Sequence, residues 1–390
     1  MGILVQKFGG SSMGTAARRE QVRGHILEAK AAGYQCVVVV SAMGRLGEPY
    51  ATDTLLQLVN SGRQMPLRDL DLLMSCGEII SAVVLVQELV KAGHKATALA
   101  GGQAGITTDN VHGNARIVEV KPKRVLAALQ AGVIPVVAGF QGFTPEGEIT
   151  TLGRGSGDTS AVALGVALGA EMVEIYTDVD GVMTADPRVE PNARRLDVVT
   201  YREIAEMAHL GAKVIHPRAV EIAMEGHIPL RIRATGSHSP GTIVQGVGPE
   251  VEIRGDRVVT GIAHIGGMAQ VQLETTADFN QAELGLAIFQ GLAKAGISLD
   301  MIYVSLHRIS FILEERWALE AQALLSDFPV EVHIESGMAK VSTVGAGMRG
   351  VPGVMARVVA ALQGAGVTIF QTTDSHANIS CLVREAEVEA

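Results

Sequence analysis

The sequence has 390 residues, of which 47% are hydrophobic, 19% charged and only 4% aromatic. With 32 Lys and Arg against 41 Asp and Glu the net charge is −9, which argues against a nucleic-acid-binding surface, because such surfaces are basic and carry stacking aromatic rings. The apolar content excludes a disordered chain, and the length predicts two or three domains at about 150 residues each.

Targeting and redox features predict a cytoplasmic protein. No apolar run reaches the about 18 residues of a membrane span, and the opening MGILVQKFGG lacks the pattern of a signal peptide. Gln6 breaks the myristoylation pattern, and Cys36, Cys76 and Cys381 are too widely spaced for a disulfide framework or a metal cluster. We therefore expect a small-molecule ligand, with no membrane or nucleic-acid partner and no resident metal site.

Up to about residue 233, short β-branched runs alternate with segments of helical period. Val22, Ile26 and Ala29 share one helical face before Gly33 ends that helix. Continuous apolar strands are usually buried on both faces of a parallel or mixed sheet. Residues 1–233 therefore predict one α/β domain with a mostly parallel sheet, whose strands include Ile3–Gln6, Cys36–Val40, Val133–Ala138, Val173–Tyr176 and Pro229–Ile232.

The composition changes at residues 234–257, which are rich in Gly, Pro and Ser and show no sustained hydrophobic periodicity, as is typical of a linker. Beyond them, Gly291–Ile302 and Ala361–Thr372 form an internal repeat at an offset of 70 residues. Each copy has the pattern strand, helix, Gly stop, strand, strand. The repeat predicts two small α+β modules.

We place these modules at residues 264–335 and 336–390. The second copy lacks room for a last helix and strand before Ala390. Either the C-terminus is trimmed, or residues 258–263, which precede the first module, help to complete the second.

The first candidate motif, KFGGSS at Lys7 to Ser12, follows the first strand directly. Adjacent glycines let backbone N–H groups approach an anion, a helix beginning near Thr15 adds its positive end, and Lys7 supplies a point charge for phosphate. The motif is not the GxxxxGK[ST] phosphate loop. From these residues alone, an ordinary turn with a surface lysine is an equal alternative.

Two further segments carry charges among small residues. Glu78 opens an apolar helix in SCGEIISA, where it either complements the helix dipole or binds a substrate ammonium. Arg154 lies among three glycines in TTLGRGSGDTSA, and a guanidinium in such a loop suits a bidentate contact with a carboxylate. Asp158 precedes a helix of small apolar residues, where an N-cap is the simpler explanation.

The segment YTDVDGVMTADPR leaves a strand and turns at Asp180–Gly181 and Asp186–Pro187. Its backbone and Asp178 suit a nucleotide, although plain turn chemistry explains them equally. Lys213, in GAKVIHPRA, offers a second cation, with a solvated surface lysine as the alternative.

In this order, the segments resemble those of the aspartate kinases in the amino-acid kinase superfamily, and the paired modules resemble their tandem ACT domains. Residues 350–354 (GVPGV) and 372–383 (TTDSHANISCLV) are most similar to the diaminopimelate-sensitive bacterial isozymes. The resemblance implies an α/β amino-acid-kinase sandwich followed by two ferredoxin-like modules, and a homodimer or higher homo-oligomer. It also implies phosphoryl transfer from ATP, with Mg²⁺, to the side-chain carboxylate of L-aspartate.

The resemblance assigns catalytic roles to Lys7, Asp158 and Lys213. The two lysines would neutralise the transferring phosphoryl group, and Asp158 would organise them and the Mg²⁺ chemistry. Positioning and charge neutralisation contribute most of the catalysis in phosphoryl transfer, and the aspartate carboxylate is already a nucleophile.

The remaining roles concern the two substrates. Glu78 would bind the substrate ammonium and Arg154 its α-carboxylate, with Ser156 beside them and Ser41 toward the nucleotide. The ATP site would be formed by Lys7, Phe8, Gly9, Gly10, Ser11, Thr177, Asp178, Met183, Arg188, Lys213 and Val214.

Two positions depart from the family pattern. RGGSD becomes RGSGD at residues 154–158, which moves the hydroxyl of Ser156 by one place, and KFGGTS becomes KFGGSS, which keeps its hydroxyl. Kinases of acetylglutamate, glutamate or nucleotides would share the Gly-rich start, but the Glu78 segment, the Arg154 loop and the repeat favour aspartate. A protein that is not an enzyme, namely a catalytically silent amino-acid sensor, is a further alternative. The joint presence of the five charged site residues disfavours it, namely Lys7, Glu78, Arg154, Asp158 and Lys213.

The repeated modules are expected to sense an amino-acid effector, namely lysine, threonine or meso-diaminopimelate. Ala277–Glu283 precedes a helix, Leu284–Ala295, whose N-terminal N–H groups suit a carboxylate, and Asp300 is placed to meet an ammonium. A strand-end surface charge is an equal alternative for Asp300. The expected effector contacts are Asp278, Asn280, Gln281 and Asp300.

Overall fold

The computed structural model describes residues 2–59, 65–212, 214–246, 258–275, 281–305, 307–345, 347–348 and 351–390. The chain divides into two compact units. The first comprises Met1–Met183, Arg195–Ala208 and Lys213–Ile253, and the second comprises Thr184–Arg194, His209–Ala212 and Arg254–Ala390. The chain thus enters the second unit twice before residue 233, at Thr184–Arg194 and at His209–Ala212. The first of these segments bonds within the second unit, since Ile262 N donates to Thr184 O. A single boundary at residue 233 therefore does not separate the two units.

An eight-stranded sheet forms the centre of the first unit. Its strands are β1 (Ile3–Phe8), β2 (Gln35–Val40), β3 (Ala96–Leu99), β6 (Ile134–Ala138), β9 (Met172–Thr177), β10 (Val198–Thr200), β11 (Leu230–Ala234) and β12 (Thr242–Gln245). They lie in the order β10-β12-β11-β9-β1-β2-β6-β3, and all neighbours are parallel except β11 and β12. The predicted mostly parallel α/β sheet is confirmed.

A second, four-stranded sheet in this unit has the order β5-β4-β7-β8. It consists of β4 (Ile106–Thr108), β5 (Ile117–Val120), β7 (Gln141–Phe143) and β8 (Ile149–Thr151). The helices of the unit are α1 (Gly10–Met13), α2 (Ala16–Ala31), α3 (Thr52–Gln57), α4 (Leu67–Lys91), α5 (Lys123–Gln130), α6 (Gly157–Leu168), α7 (Tyr201–His209) and α8 (Pro217–Glu225).

The core of the first unit lies between the central sheet and helices α2 and α4. Val22 and Ile26 of α2 and Leu85 and Leu89 of α4 are fully buried in one cluster with Val38 of β2. Burial of each such side chain contributes about 1.5 to 3 kcal/mol. The helical face predicted from Val22 and Ile26 is therefore the face that packs on the sheet.

The Gly-, Pro- and Ser-rich stretch predicted as a linker contains strand β12, so that prediction is wrong for Thr242–Gln245. These four residues alternate, with Thr242 and Val244 buried and the other two half-buried. Since β12 pairs with both β10 and β11, it belongs to the central sheet. Residues 247–257 lie outside the described part of the chain.

Helix α4 is longer than the sequence suggested, and Glu78 lies in its middle. The prediction that Glu78 opens a helix is wrong, because the helix begins at Leu67, directly after Pro66, and runs through the strong helix formers of LRDLDLLM. Among the described residues, α4 is also the one helix long and apolar enough to cross a membrane. It packs against β3, β6 and β8 within the first unit, and its carboxylates Asp71 and Glu78 are buried there.

The second unit is built around a six-stranded antiparallel sheet. Its strands are β13 (Gly261–Thr275), β14 (Asp300–Val304), β15 (Arg308–Glu314), β16 (Val330–Val344), β17 (Gln371–Asp374) and β18 (Asn378–Arg384), in the order β14-β15-β13-β16-β18-β17. The helices are α9 (Gln281–Lys294), α10 (Ala318–Leu325) and α11 (Val354–Gly364).

The predicted repeat is visible in this unit. Helices α9 and α11 are each followed by a glycine with positive φ, +74° at Gly296 and +75° at Gly366, and then by two strands. Only glycine adopts this conformation without strain, which explains the Gly stop in each copy. The start of β13, Gly261–Ile265, pairs with the end of β16 and supplies a fourth strand beside the second copy. The predicted paired α+β modules are confirmed as a fold class.

Candidate active site

The candidate active site is centred on an ion pair between Lys7 and Asp158. Lys7 lies near the end of β1, and its Nζ is 2.7 Å from Oδ1 of Asp158, with the side chains only 11% and 9% exposed. The other carboxylate oxygen accepts from His216 N at 3.1 Å. Asp158 is the second residue of α6 and Ser156 is the N-cap, so the N-cap explanation for Asp158 is wrong. The carboxylate instead fixes an ammonium at the carboxyl edge of the sheet, where ligands of α/β folds bind.

The glycines after Lys7 allow two backbone segments to touch. A Cβ atom on Gly10 would lie 2.7 Å from the carbonyl oxygen of Ala42 and 3.0 Å from that of Gly44, so a side chain cannot fit there. Helix α2 then begins at Ala16, with Thr15 Oγ1 accepting from Arg18 N, as predicted from Thr15. A Cβ atom on Gly9 would lie 3.7 Å from Lys7 Nζ, so the main chain of the turn is close to Lys7, as an anion site requires.

Phe8 supports this turn from the core. Its side chain is fully buried and stacks on Tyr176 with ring centroids 4.5 Å apart, and its carbonyl accepts from Ser41 N. The Phe8 ring and carbonyl thus both contact other residues of the protein. Phe8 thus supports the shape of the turn, and its contact with ATP remains a prediction.

Glu78 presents one satisfied and one unsatisfied carboxylate oxygen. Oε1 accepts from Ala42 N at 3.0 Å, whereas the buried Oε2 has no partner among the described residues. Burial raises the pKa of the Glu78 carboxyl to about 8, although the Ala42 N–H opposes the shift. Glu78 lies too far from the start of α4 for the helix dipole to explain it. A buried oxygen of this kind is suited to a cationic ligand.

Ser41 and Ala42 connect the Glu78 region with the Lys7 region. A Cβ on Gly157 would lie 2.9 Å from Ser41 Oγ and 3.3 Å from Lys7 Cε. Glycine at position 157 is therefore needed to bring Ser41 and Lys7 together, which gives a physical reason for RGSGD. The displaced hydroxyl of Ser156 donates to Gly153 O at 2.5 Å and is buried within the loop.

Arg154 lies at the exposed side of the site. Its Nη1 donates to Asp53 Oδ1, and its side chain is 71% exposed. Both residues line a cavity of about 580 Å³ together with Leu46, Leu56, Gln57, Val59, Met65 and Leu70. Because the ion pair is exposed, a carboxylate ligand can replace Asp53 at little cost.

A second cavity lies beside the glycine turn and measures about 340 Å³. We call it the nucleotide cavity after the ligand that the sequence resemblance predicts for some of its residues. It includes three residues predicted to contact ATP, namely Ser11, Thr177 and Asp178. Arg45 Nη2 pairs with Asp178 Oδ2 at 3.1 Å across this surface. The lining residues are Ser11, Ser12, Arg18, Arg45, Thr177, Asp178, Asp180, Ala234, Thr235, Gly236 and Ser237.

Lys7, Phe8, Gly9 and Gly10, which belong to the strand end and turn described above, are not lining residues of this cavity, and neither are three other described residues predicted for the ATP site, Met183, Arg188 and Val214. Arg188 belongs to the second unit, where its guanidinium binds Asp186 and lowers the pKa of that carboxyl. Met183 forms an isolated bridge with Arg195, and Val214 lies in a turn. Lys213 lies outside the described residues. The nucleotide contacts of all these residues remain predictions.

Sequence reasoning missed a buried carboxylate that supports the Arg154 loop. Asp71 of α4 accepts from Thr151 Oγ1 at 2.5 Å, from His112 Nδ1 at 2.8 Å and from Gly113 N at 3.0 Å. Arg218 binds the same region, donating to the carbonyl of Leu152 at 3.2 Å. The one available signal was that Asp71 precedes Glu78 by two helical turns.

The acidic and other potential metal-binding side chains indicate how a Mg²⁺ ion could be bound. Within the described ranges, no group of three or more His, Cys, Asp or Glu residues could hold a metal ion. Mg²⁺ commonly binds through substrate phosphates, water and one or two carboxylates. The residues present fit a Mg²⁺ ion that arrives with a nucleotide, with Asp158 as the nearest buried carboxylate to Lys7.

The raised pKa of Glu78 predicts a pH dependence of substrate binding. Only the ionised carboxyl attracts an ammonium, and its fraction falls about tenfold per pH unit below a pKa of about 8. For a ligand bound through Glu78, we expect kcat/KM to rise from pH 6 to about pH 8 and then level off. Steady-state rates across this range test the expectation.

The control is Glu78→Gln, in which this rise should disappear. Because the pKa is raised in the folded state, the protonated carboxyl stabilises the fold below the ordinary pKa of 4.5, and this contribution is lost as pH rises through about 8. The Tm of the wild type should therefore fall relative to that of Glu78→Gln over the same range. Identical pH profiles for the two proteins would contradict the role of Glu78.

Comparisons with protein families agree with this geometry. The amino acid kinase family matches residues 2–234, and an ACT domain matches residues 333–390. Aspartokinase 1 of Bacillus subtilis is 47% identical over 394 residues, covering 100% of this chain and 96% of that protein. The aspartokinase of Geobacillus stearothermophilus is 42% identical, covering 99% and 94%.

Solved structures give the same result. Escherichia coli aspartokinase III in complex with aspartate and ADP, in the R-state, has a TM-score of 0.80 at 25% identity and covers 99% of this chain and 97% of that one. The same enzyme with lysine and aspartate, in the T-state, has a TM-score of 0.78 at 25% identity and the same coverage.

Proposed function

Because the chain belongs to the amino acid kinase family, with aspartokinases as relatives over its full length, we propose that it phosphorylates L-aspartate. The reaction transfers the γ-phosphoryl group of ATP to the side-chain carboxylate and gives 4-phospho-L-aspartate and ADP. The observation that carries the proposal is the continuous arrangement of Glu78, Ser41–Ala42, Gly157 and the Lys7–Asp158 pair. It joins a site for an ammonium to a site for a phosphoryl group.

Lys7 supplies the charge that the transfer needs. Held by Asp158, its ammonium remains in place and offsets the repulsion between the attacking carboxylate and the negatively charged oxygens of the transferring phosphoryl group. The main chain at Gly10 binds a phosphate oxygen beside it, while Gly9, whose N–H donates to Tyr176 O at 3.4 Å, shapes the turn. When bound with ATP, Mg²⁺ neutralises charge on the phosphate oxygens.

Glu78 and Arg154 orient the acceptor. The free Oε2 of Glu78 binds the α-ammonium of aspartate, and Arg154 exchanges Asp53 for the α-carboxylate. Two fixed points on the α-carbon leave the side-chain carboxylate to be directed at the phosphoryl group. Orientation of this kind supplies much of the rate in bimolecular transfers.

An acceptor panel tests the proposal. Coupled ADP release is measured with L-aspartate, L-glutamate, N-acetylglutamate and a nucleoside monophosphate as acceptors. We expect turnover with aspartate at least about 100-fold above that with the others, because the last two lack a free α-ammonium and glutamate displaces its carboxylate by one methylene. Preferential turnover of another acceptor would assign the chain to a sister kinase. ADP release with none of them would favour the silent sensor.

The second unit supports allosteric regulation by an amino acid, which we propose for this chain. Its ACT fold matches, and the aspartokinase III structures include a lysine complex. Asp300 is neither free nor a plain surface charge, because its Oδ2 pairs with the buried Lys340 of β16 and its Oδ1 accepts from Met301 N at 2.7 Å. Asp278 and Asn280 lie outside the described residues, and Gln281 begins α9.

An effector panel checks the regulatory proposal. Lysine, threonine and meso-diaminopimelate, singly and in pairs, are titrated into the full chain, and at least one is expected to inhibit about 5- to 150-fold. Asp300→Asn keeps a hydrogen-bond acceptor for Lys340 but removes the charge that would meet an effector ammonium, so inhibition should weaken.

The matched control is Asp327→Asn, another acid of the same unit, which should leave inhibition unchanged. No inhibition by any effector, alone or paired, would contradict the sensor role. Unchanged inhibition in Asp300→Asn would move the effector site away from β14. Inhibition by meso-diaminopimelate would further support the similarity to the diaminopimelate-sensitive isozymes.

A further inference from the structure

Thr235, which follows β11 directly, makes three hydrogen bonds beside the nucleotide cavity. Its hydroxyl shares a hydrogen bond of 2.6 Å with Ser12 Oγ, its N–H donates to Thr177 O at 3.1 Å, and its carbonyl lies 2.8 Å from His25 Nε2. Thr235 is itself a lining residue of the cavity and is only 3% exposed. It therefore uses every polar group that it has.

These bonds join segments that are far apart in sequence. Ser12 belongs to α1, two residues after Gly10, and is separated from Thr235 by 223 residues. Thr177 ends β9, from which the Asp178 side of the cavity begins, and His25 lies on α2. Thr235 is thus a side-chain link between the phosphate side and the Asp178 side of the cavity, in addition to the backbone bond from Gly9 N to Tyr176 O at 3.4 Å.

The hydroxyl bond is the informative part of this arrangement. The pairing of β9 with β11 already places Ala234 beside Thr177, so the backbone bond of Thr235 continues that ladder. The start of α1 is held by backbone bonds from Gly9 N to Tyr176 O at 3.4 Å and from Gly44 N to Gly10 O at 3.1 Å, but this helix is only four residues long and its N-cap makes no side-chain bond. The Ser12 hydroxyl, buried and bonded to Thr235, is the side-chain tie that holds α1 against β11.

We propose that Thr235 is a positioning residue for ATP, holding the turn at Gly9–Gly10 at a fixed separation from Thr177 and Asp178 through Ser12. The inference rests on the proposed function, since it assigns the cavity to the nucleotide. A ligand that bridges both sides of the cavity gains from this preorganisation, whereas aspartate, held by Glu78 and Arg154, does not. The hydroxyl should therefore affect ATP selectively.

Thr235→Val tests the inference, because it keeps the shape of the side chain and leaves Ser12 Oγ buried without its partner. We expect the KM for ATP and the calorimetric Kd for ADP to rise about tenfold, with the KM for aspartate within about twofold of wild type. Thr235→Ser should restore both values. If Thr235→Val fails to fold, Ser12→Ala removes the same bond from the other side.

The double variant Ser12→Ala/Thr235→Val distinguishes the effect of losing the hydrogen bond from the effect of leaving one hydroxyl buried without a partner. Since no buried hydroxyl is left unpaired, its effect on the ADP Kd should be smaller than the sum of the single effects. The matched control is Thr108→Val, which removes a similar hydroxyl pair, Thr108 with Thr150 at 2.5 Å, away from the nucleotide cavity. This control should leave the KM for ATP unchanged.

The outcomes distinguish this inference from the proposed function. An unchanged KM for ATP and ADP Kd in a folded Thr235→Val would overturn the inference while leaving the kinase assignment intact. Equal weakening of ATP and aspartate would show a general loss of structure and would also overturn it. If the wild type turned over no acceptor, the proposed function would fail, and the ADP Kd values alone would decide on Thr235.

Discussion

Replacing Lys7 by alanine is expected to lower kcat at least about 100-fold, the scale for removing one preorganised electrostatic group from a transition state. Lys7 is a half-buried cation at the glycine turn that a carboxylate fixes, with its Nζ 2.7 Å from Asp158. Without it, the transferring phosphoryl group would lose the ammonium that Asp158 holds at the glycine turn. The measurement is steady-state kcat at saturating ATP and aspartate.

The variant leaves Asp158 buried without its cation, so the fold has to be checked by circular dichroism and thermal unfolding. Lys7→Met retains the aliphatic stem and provides a second protein with the same loss of charge. Lys91→Ala, which removes an exposed lysine paired with Glu88, serves as the control and should keep wild-type kcat. A folded Lys7→Ala with more than about a tenth of wild-type kcat would exclude Lys7 from catalysis.

Glu78→Ala is expected to reduce kcat/KM for aspartate by about 30-fold to several thousandfold. Losing one partner of a buried charge pair costs about 2 to 5 kcal/mol, and the aspartate ammonium would then lie in a buried site without an anion. The ATP Kd should remain within about twofold, because Glu78 contacts Ala42 rather than the residues of the nucleotide cavity. Parallel titrations with aspartate and with ATP measure the difference.

Arg154→Ala gives a smaller effect of the same kind, because Arg154 is exposed and its contacts are screened by water. Glu88→Ala removes a second carboxylate from the same helix and is the control for the loss of charge on α4. If ATP binding weakened as much as aspartate use in Glu78→Ala, Glu78 would belong to the nucleotide site instead.

The central sheet could be predicted because its strands carry their signal locally. Cys36–Val40 and Val133–Ala138 are uninterrupted apolar runs, and the structure buries both on two faces in β2 and β6 except for Val133, which precedes β6 and is half-buried. The short strands of the second sheet carry no such signal, since β7 and β8 have only three residues each and include Gly142 and Thr150. Strand β12 was missed for the same reason, inside a stretch rich in turn residues.

The charged centre of the site was predicted by residue type, but its geometry was not. Lys7, Glu78 and Asp158 are candidates from the sequence whose roles remain predictions, whereas the pairing of Lys7 with Asp158 spans 151 residues of sequence and depends on the packing of α6 against β1. Asp71 and Thr235 were missed because their partners lie 41 to 80 and up to 223 residues away. Long-range hydrogen bonds of this kind leave no periodic pattern in a sequence.

Trapping of the product tests the central claim most directly. The wild-type chain is incubated with ATP, Mg²⁺, L-aspartate and hydroxylamine, and the hydroxamate formed from any acyl phosphate is identified by mass spectrometry. If the side-chain carboxylate accepts the phosphoryl group, aspartate β-hydroxamate forms in proportion to ADP, and Lys7→Ala suppresses both products together. Release of ADP without the β-hydroxamate, or formation of the α-hydroxamate, would contradict phosphorylation of the aspartate side chain.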